Sequence, residues 1–302
     1  MLAGASVTDL IDKRYSCRTY ADTPIAAETQ RTLETFLAAH NTGPFGSTVR
    51  LALIAATEAD RLALKGLGTY GFIRNPMGFI IGAMEETPER NLEDFGWILE
   101  QIVLYATGLG LGTVWLGGTF TKSRFAQLMD LHASEQVPAV IATGYPADEK
   151  HALDLFIRRR AKGDHRLPWA QLFYEAPTDE NKKDAFHKPL LEDRAGRYAE
   201  VLEMVRQAPS ASNKQPWRVV RDRECWHLYL QRTRGYAPRN ALLGVADMQR
   251  IDMGIAMCHW ELTAEELGLG GRWEQADPSF ETPNDLTSYV VSWVPGEAKG
   301  QL

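Results

Sequence analysis

Cysteine is scarce in this chain of 302 residues. There are three, Cys17, Cys225 and Cys258, and no two of them form a CxxC pair. An odd, scattered set argues against a disulfide framework or a zinc site and fits a reducing compartment. Each cysteine is most simply interpreted as a small buried apolar side chain. The seven histidines show no metal-ligand spacing either, so we predict no metal site.

An excess of positive charge is also missing. The net charge is −6, so no overall basic field is available to hold a nucleic acid, and any anion must be held locally. The N-terminus lacks the basic segment and apolar run of a secretory signal. We therefore expect a cytoplasmic protein that binds small molecules, with no nucleic-acid or membrane partner.

Only one uncharged run is long enough to raise the question of a membrane span. It covers residues 101–121, and five glycines stand at positions 108, 110, 112, 117 and 118. Glycine at that density breaks a helix. We predict instead a buried helix over 91–107 that ends in a glycine-rich turn and is followed by a strand.

The composition is that of a globular protein with a core, at 44% hydrophobic and 24% charged residues. Helix and strand signals alternate in the first third of the chain. The sequence predicts a short helix within 6–15 with Ser6 as its N-cap, and a second helix over 24–40. It also predicts strands over 49–57 and 77–85, each buried on both sides.

The second half of the chain repeats part of the first. Residues 94–115 align without gaps on residues 252–273, and nine of the 22 positions are identical. The identical pairs are Asp94/Asp252, Gly96/Gly254, Leu104/Leu262, Ala106/Ala264, Leu109/Leu267, Gly110/Gly268, Leu111/Leu269, Gly112/Gly270 and Trp115/Trp273. Helical periodicity alone would match fewer positions. The pattern indicates duplication of an α+β unit.

A polar, proline-bounded stretch marks the predicted seam between the copies. We predict a first half over 1–175, a linker over 176–189 and a second half over 190–302. Two such copies are expected to pack about a pseudo-twofold axis, as the subunits of a homodimer do. The chain would then be a monomer that acts as an internal pseudo-dimer.

Four stretches carry residues suited to ligand binding. KRYSCRTY (13–20) places Arg14, Ser16 and Arg18 together, either on a solvated helix face or around an anion. RRRAKGDHRLPW (158–169) is rich in cations, and Arg166 directly precedes the apolar Leu-Pro-Trp. Most of the other cations in this stretch are expected to be solvated.

GLGLGTVWLGGTF (108–120) contains the pair Gly117 and Gly118 after a predicted strand. It is not a dinucleotide fingerprint, because that motif needs a strand before it and a helix after it. Part of it must be a helix end and a core strand. The paired glycines could also let backbone N–H groups approach a flat ligand.

APSASNKQPW (208–217) is too polar for a core strand and too interrupted for a helix. It is either a plain connection from helix to strand or a polar clamp on a ligand. In the second case Ser210, Asn213 and Gln215 supply hydrogen bonds, while Pro209 and Pro216 stiffen the loop.

In combination, these motifs resemble the FMN-dependent nitroreductase family, and in particular its single-chain tandem members. The family's RRSxRxF, GLGTxWxGG and APSxxNxQPW motifs and its late basic residue correspond here to RYSCRTY, GLGTVWLGG, APSASNKQPW and HRLP. The resemblance implies a nitroreductase-like fold with FMN held between two subunit-like halves. The reciprocal site is expected to have decayed, leaving one FMN per chain.

The resemblance also implies roles for individual residues. Arg14 and Arg166, helped by Ser16, would hold the phosphate, and Arg18 would lie near the pyrimidine edge. Tyr15 stands where the family usually has a second arginine. The remaining implied FMN-binding residues are Leu116, Gly117 and Gly118 near N5, and Pro209, Ser210, Ala211, Asn213 and Gln215 from the second half. Whether the segment 69–76 also borders the ring stays open, because it departs from the family's common pattern.

The implied activity is ping-pong hydride transfer from NADH or NADPH, through FMN, to a nitroaromatic, a quinone or a similar electron-poor small molecule. No catalytic side chain is required for it. Two alternatives stay open at the level of sequence. One is a flavin-binding protein without turnover, and the other is a specialised member such as a dehalogenase or a flavin-destroying enzyme.

Overall fold

The computed structural model describes residues 2, 4–55, 73–118, 122–147, 165–179, 184–236, 242 and 244–296. Within these ranges the helices are α1 Val7–Lys13, α2 Ala27–Ala39, α3 Asn91–Gly108, α4 Lys122–Leu128, α5 Ala199–Gln207 and α6 Met248–Glu266. The strands are β1 Val49–Ala55, β2 Gly78–Glu85, β3 Gly112–Leu116, β4 Glu135–Gln136, β5 Val140–Gly144, β6 Phe173–Glu175, β7 Trp217–Asp222, β8 Cys225–Gln231, β9 Gly271–Glu274 and β10 Thr287–Pro295.

The strands form two sheets, and four strands of each share one topology. The first has the order β1-β2-β5-β3, with β4 beside β2, and the second has the order β6-β7-β8-β10-β9. In each, an antiparallel strand pair leads to a long helix, then to an edge strand, then to a strand that inserts between that edge and the pair. The shared topology supports the duplication indicated by the sequence repeat.

The two long helices, α3 and α6, cross at a pair of glycines. A Cβ atom on Gly96 would collide with the carbonyl of Ile251, and a Cβ atom on Gly254 would collide with the carbonyl of Glu93. The repeat makes Gly96 equivalent to Gly254, and Glu93 equivalent to Ile251. The contact is therefore reciprocal, as in the isologous interface of a twofold dimer.

Both central helices are buried on most of their surface, and one continuous apolar core includes residues of both sheets. The predicted helix over 91–107 and the glycine turn after it are confirmed, because Gly110 has φ +78° and β3 follows at once. Of the helices described, none is long and apolar enough to cross a membrane.

Several predicted boundaries were wrong. The helix predicted over 24–40 begins at Ala27, because Ala26 is extended with ψ 139°. The helix predicted within 6–15 ends at Lys13, although Ser6 caps it as expected. Strand β1 is only half-buried rather than buried on both sides, since it is the edge of its sheet. The last two residues predicted for it lie outside the described residues.

Strand β6 crosses between the two predicted halves. It comes at the end of the predicted first half, yet it pairs in parallel with β7 of the second sheet, with Phe173 opposite Val219. The second sheet is thus completed by a strand from the preceding copy. The boundaries at 175 and 190 themselves stay a prediction.

Candidate functional site

A cavity of about 390 Å³ lies between the two predicted halves. That volume is within the range of about 300–1,000 Å³ usual for small-molecule and cofactor pockets. Four segments line it: the chain after α1, strand β3, the loop before β7, and α6 with the chain before it. The lining residues are Ser16, Arg18, Val114, Trp115, Gly117, Gly118, Pro209, Ser210, Ala211, Ser212, Tyr236, Val245, Met248, Ile251, Asp252 and Ile255.

The chain after α1 reaches the cavity because it runs along β3. Ser16 pairs in parallel with Thr113, and the next residue donates its backbone N–H to the Thr113 carbonyl at 2.9 Å. This pairing brings Ser16 and Arg18 to the cavity wall. Arg14 and Tyr15 are not among the lining residues: Arg14 is buried with its Nε 3.9 Å from Glu100 Oε1, and Tyr15 packs against an apolar cluster.

The paired glycines at the end of β3 meet side chains from the second half. A Cβ atom on Gly117 would collide with the Met248 side chain, and one on Gly118 would lie 3.1 Å from Val245 Cγ2. The close approach of α6 therefore gives these glycines a packing role in addition to the predicted ligand role. Leu116 is buried in an apolar cluster and does not line the cavity.

The loop of residues 208–217 contributes Pro209, Ser210, Ala211 and Ser212 to the cavity. Its backbone is strained, because Ser212, Asn213 and Gln215 have φ values of 53°, 52° and 47°. Left-handed residues other than glycine are uncommon and cluster at functional sites. The Ser210 hydroxyl accepts the Gln215 backbone N–H at 2.9 Å and so closes the loop on itself.

The two amide side chains of this loop bind backbone rather than line the cavity. Asn213 Nδ2 donates to the His165 carbonyl at 2.9 Å, and Gln215 Oε1 accepts the Leu167 N–H at 2.8 Å. Arg166, between these partners, donates Nη2 to the Gln207 carbonyl at 2.9 Å. The predicted late arginine and the predicted loop do come together, through hydrogen bonds that hold segment 165–167 against the loop.

Helix α6 supplies cavity residues that sequence reasoning missed, chief among them Asp252. Asp252 is buried, and its Oδ1 accepts the Ala211 backbone N–H at 2.9 Å. Burial raises the pKa of Asp252 well above its ordinary value. The identity of Asp94 and Asp252 in the repeat could have flagged it, whereas the apolar residues Met248, Ile251 and Ile255 have no signal beyond helical spacing.

Trp115, another missed residue, connects the cavity wall to a buried polar cluster. Its Nε1 donates to Glu100 Oε2 at 2.9 Å, and Glu100 Oε1 lies 3.1 Å from His259 Nε2. The other ring nitrogen of His259 bonds the Met204 carbonyl at 2.8 Å. The Trp115 ring is therefore bonded to α3, and Glu100 links that bond to His259 of α6.

Some sequence predictions fall on residues outside the described ranges. These are residues 69–72 of the uncertain ring-bordering segment and the cations of 158–162. The rest of the first segment, residues 73–76, does not line the cavity. Within the described part of the chain, no cluster of histidine, cysteine and acidic residues is suited to hold a metal ion.

The family comparison bears on this arrangement. The family model described as "Putative TM nitroreductase" matches residues 6–264. The chain belongs to this nitroreductase family. A structure described as a putative nitroreductase from Thermotoga maritima is 18% identical, covering 96% of this chain and 93% of its own, with a TM-score of 0.58. At that identity the match shows the nitroreductase fold, as the sequence predicted.

Two other solved structures match about half of the chain. One, from Desulfovibrio desulfuricans and in complex with FMN, is 22% identical, covering 50% of this chain and 95% of its own, with a TM-score of 0.38. The other, an oxidoreductase containing FMN, is 18% identical, covering 56% and 91%, with a TM-score of 0.46. Of these three matches, only the Thermotoga maritima structure has a TM-score above 0.5, and only it bears on the fold. No curated protein matches the chain.

Proposed function

We propose that this nitroreductase-family chain is an FMN-dependent oxidoreductase. The observation that carries the proposal is a single cavity lined by the predicted residues Ser16, Arg18, Gly117 and Gly118 and by the loop residues 209–211. The first group precedes the linker and the second follows it. That division is the one the family resemblance implies for an FMN site between two halves.

The cavity residues suit FMN in shape and chemistry. A flat ring needs apolar walls, and Val114, Trp115, Ile251 and Ile255 supply them. The polar edges of the ring need hydrogen bonds and positive charge, which the serine hydroxyls and Arg18 supply. One buried carboxyl oxygen of the wall, on Asp252, has no partner among the described residues. The residues present therefore fit the cofactor.

The side chains in this proposal bind and orient. Arg18 would lie near the pyrimidine edge of bound FMN, where positive charge favours the reduced flavin. Gly117 and Gly118 would offer backbone N–H groups to it, and the strained loop would lie against it from the other half. Arg14 and Arg166 are the proposed phosphate ligands. Arg14 is two residues from Ser16, and Arg166 is bonded to Gln207, two residues from Pro209.

FMN when bound supplies two-electron chemistry, taking a hydride from NADH or NADPH and passing it to a nitroaromatic, a quinone or a similar electron-poor molecule. We expect the two substrates to bind in turn, as the ping-pong scheme implied by the family resemblance requires. The apolar side chains of Trp115 and Ile255 would shield one side of the bound ring from water.

The proposal is tested by mixing the FMN-loaded protein anaerobically with NADH or NADPH and following the visible flavin absorbance. Bleaching within seconds, followed by recovery on adding a quinone or nitroaromatic, is the expected result. Bound FMN that stays oxidised would make the chain a flavin-binding protein without turnover. No binding of FMN would overturn the proposal altogether.

A matched pair of arginine variants tests the site itself. Arg18→Ala removes a cavity cation and should weaken FMN binding by about 10- to 150-fold, since one charge-assisted hydrogen bond contributes about 1.5–3 kcal/mol. Arg74→Ala removes an exposed arginine whose backbone pairs with Thr19 but which does not line the cavity. Equal FMN affinity in the two variants would mean that Arg18 plays no part in binding.

A further inference from the structure

The repeat places an aspartate at the same point of both central helices. Asp94 lies in the first turn of α3 and Asp252 in the first turns of α6, and both are almost completely buried. Each accepts a backbone N–H from the loop packed against its helix, from Phe45 in the first half and from Ala211 in the second. This shared contact makes the two aspartates a natural matched pair.

The two aspartates differ in the hydrogen bonding of the second carboxyl oxygen, Oδ2. In Asp94 it accepts the N–H of Ser47 at 2.8 Å, so both oxygens are satisfied. Asn213 stands two residues after Ala211, as Ser47 stands two residues after Phe45, but its N–H turns back to the Ser210 carbonyl at 2.9 Å. The left-handed backbone at Ser212 and Asn213 causes that turn.

Asp252 Oδ2 is consequently buried without a hydrogen-bond partner among the described residues. A buried oxygen in that state is costly for a carboxylate, and the cost is removed when the group carries a proton. The proton belongs on Oδ2, since Oδ1 is occupied as an acceptor for Ala211. The burial that raises the pKa of Asp252 acts in the same direction.

Asp252 also belongs to the wall of the cavity, and Asp94 does not. We propose that Asp252 is a binding residue that carries a proton on Oδ2 and donates it in a hydrogen bond to an acceptor atom of the bound FMN. Its Oδ1 at the same time holds the loop of residues 208–217 in place through Ala211. This inference rests on the proposed function and assigns one ligand contact within it.

Affinity for FMN tests the contact in variants of the full chain. Asp252→Ala should weaken FMN binding by about tenfold, measured by quenching of FMN fluorescence, the upper end for one neutral hydrogen bond. Asp252→Asn keeps an acceptor for Ala211 and an N–H donor for the ligand, so its dissociation constant should stay within about threefold of the wild type. Asp94→Ala, which removes the equivalent carboxyl away from the cavity, should also stay within about threefold.

Infrared difference spectroscopy tests the proton directly and does not need the alanine variant to fold. The wild-type minus Asp252→Asn spectrum should contain the C=O band of a protonated carboxylic acid, and added FMN should lower its frequency. Absence of the band, or a band that FMN leaves unmoved, overturns the role of Asp252, as does an Asp252→Ala variant with wild-type affinity. After any of these three results, the proposed function still stands if the wild-type protein binds FMN. A wild-type protein that does not bind FMN overturns both the proposed function and the role of Asp252.

Discussion

Asp94 and Asp252 show how much one backbone turn changes the chemistry of a residue. Both are buried carboxyl groups at equivalent positions, yet Asp94 has two N–H donors and Asp252 has one. Burial raises the pKa of Asp94 as well, and the N–H groups of Phe45 and Ser47 oppose that rise. Identical residue types thus serve loop packing in one half and a cavity wall in the other.

The difference predicts unequal effects of the same substitution on stability. Asp94→Asn leaves one of two buried N–H groups without an acceptor and should lower the free energy of unfolding by about 1–3 kcal/mol. Asp252→Asn keeps the single acceptor it needs and should change it by less than about 1 kcal/mol. Urea unfolding of both variants at pH 7 gives the comparison, and equal losses would contradict the hydrogen-bond pattern.

A second residue-scale prediction concerns pH and the pair formed by Arg50 and Glu135. Arg50 donates Nε and Nη2 to the two Glu135 oxygens at 2.7 and 2.6 Å. These bonds, with the His132 N–H, lower the pKa of Glu135 to about 2. Because the folded value lies below the unfolded one, the stabilisation is present above about pH 5 and is lost as the pH falls towards 2.

Glu135→Gln should therefore be less stable than the wild type at pH 7 and equal to it near pH 2. Solvent screens the pair, since the Arg50 side chain is 43% exposed, so we expect a difference of about 1 kcal/mol at pH 7. Glu89→Gln, at an 84% exposed position, is the control and should show no such pH dependence. A Glu135→Gln deficit that is the same at both pH values would argue against the ion pair as its source.

At the scale of secondary-structure elements, the crossing of α3 and α6 sets the geometry of the site. The two helices touch through Gly96 and Gly254, where the carbonyls of Ile251 and Glu93 leave no room for a Cβ atom. Ile251 also lines the cavity. The closeness of the crossing therefore positions one cavity wall.

Gly254→Ala should disrupt this crossing. The added methyl meets backbone rather than a flexible side chain, so the helices must separate, and we expect a loss of at least about 2 kcal/mol despite the better helix propensity of alanine. Gly270→Ala, where nothing lies within 4 Å of the added atom, should change stability by less than about 0.5 kcal/mol. Thermal unfolding of the two variants decides the matter, and similar melting temperatures would show that α3 and α6 do not pack this closely.

Elements could be predicted from sequence where the pattern is local. Apolar residues and terminal glycines predicted the long helix over 91–107, and its observed end at Gly108 confirms it. Strand β1 was predicted to be buried on both sides, because an apolar run such as VRLALIA does not reveal whether its strand is central or at an edge. The pairing of β6 with the second sheet also has no local signal, since a three-residue strand is recognised only by its partner.

At the scale of the whole molecule, the two halves are alike in topology and unlike at their potential sites. The positions equivalent to the cavity residues Met248, Ile251 and Ile255 hold bulky or charged residues, Arg90, Glu93 and Trp97. Glu93 forms ion pairs with Arg90 at 3.7 Å and Arg250 at 2.5 Å. Trp97 and Trp273 both donate to Glu261 Oε2 at 2.8 Å. Side chains thus fill the place where a second cavity would be.

This asymmetry predicts one FMN per chain. To bind a second FMN ring at the equivalent position, the ion-paired Glu93 and the hydrogen-bonded Trp97 would have to move out. The cavity beside Asp252 requires no such displacement. Flavin absorbance per mole of protein, together with native mass spectrometry, should give a stoichiometry of one on a single chain. Two FMN molecules per chain would contradict the closed second site, and one FMN shared by two chains would contradict the internal pseudo-dimer.

Local and repeated patterns were sufficient to reveal the family, the duplicated unit and the motifs that surround the cavity, because motif spacing and helical periodicity are properties of neighbouring residues. The folded chain alone decided which motif residues line the cavity. It turned the amides of Asn213 and Gln215 towards the backbone of 165–167, and it placed Asp252 and Trp115 in the wall. Those placements depend on the crossing of α3 and α6, which are far apart in the sequence, and on the left-handed backbone at Ser212 and Asn213. Contacts between residues far apart in the chain produce no periodic pattern in the sequence, so they could not be predicted from it.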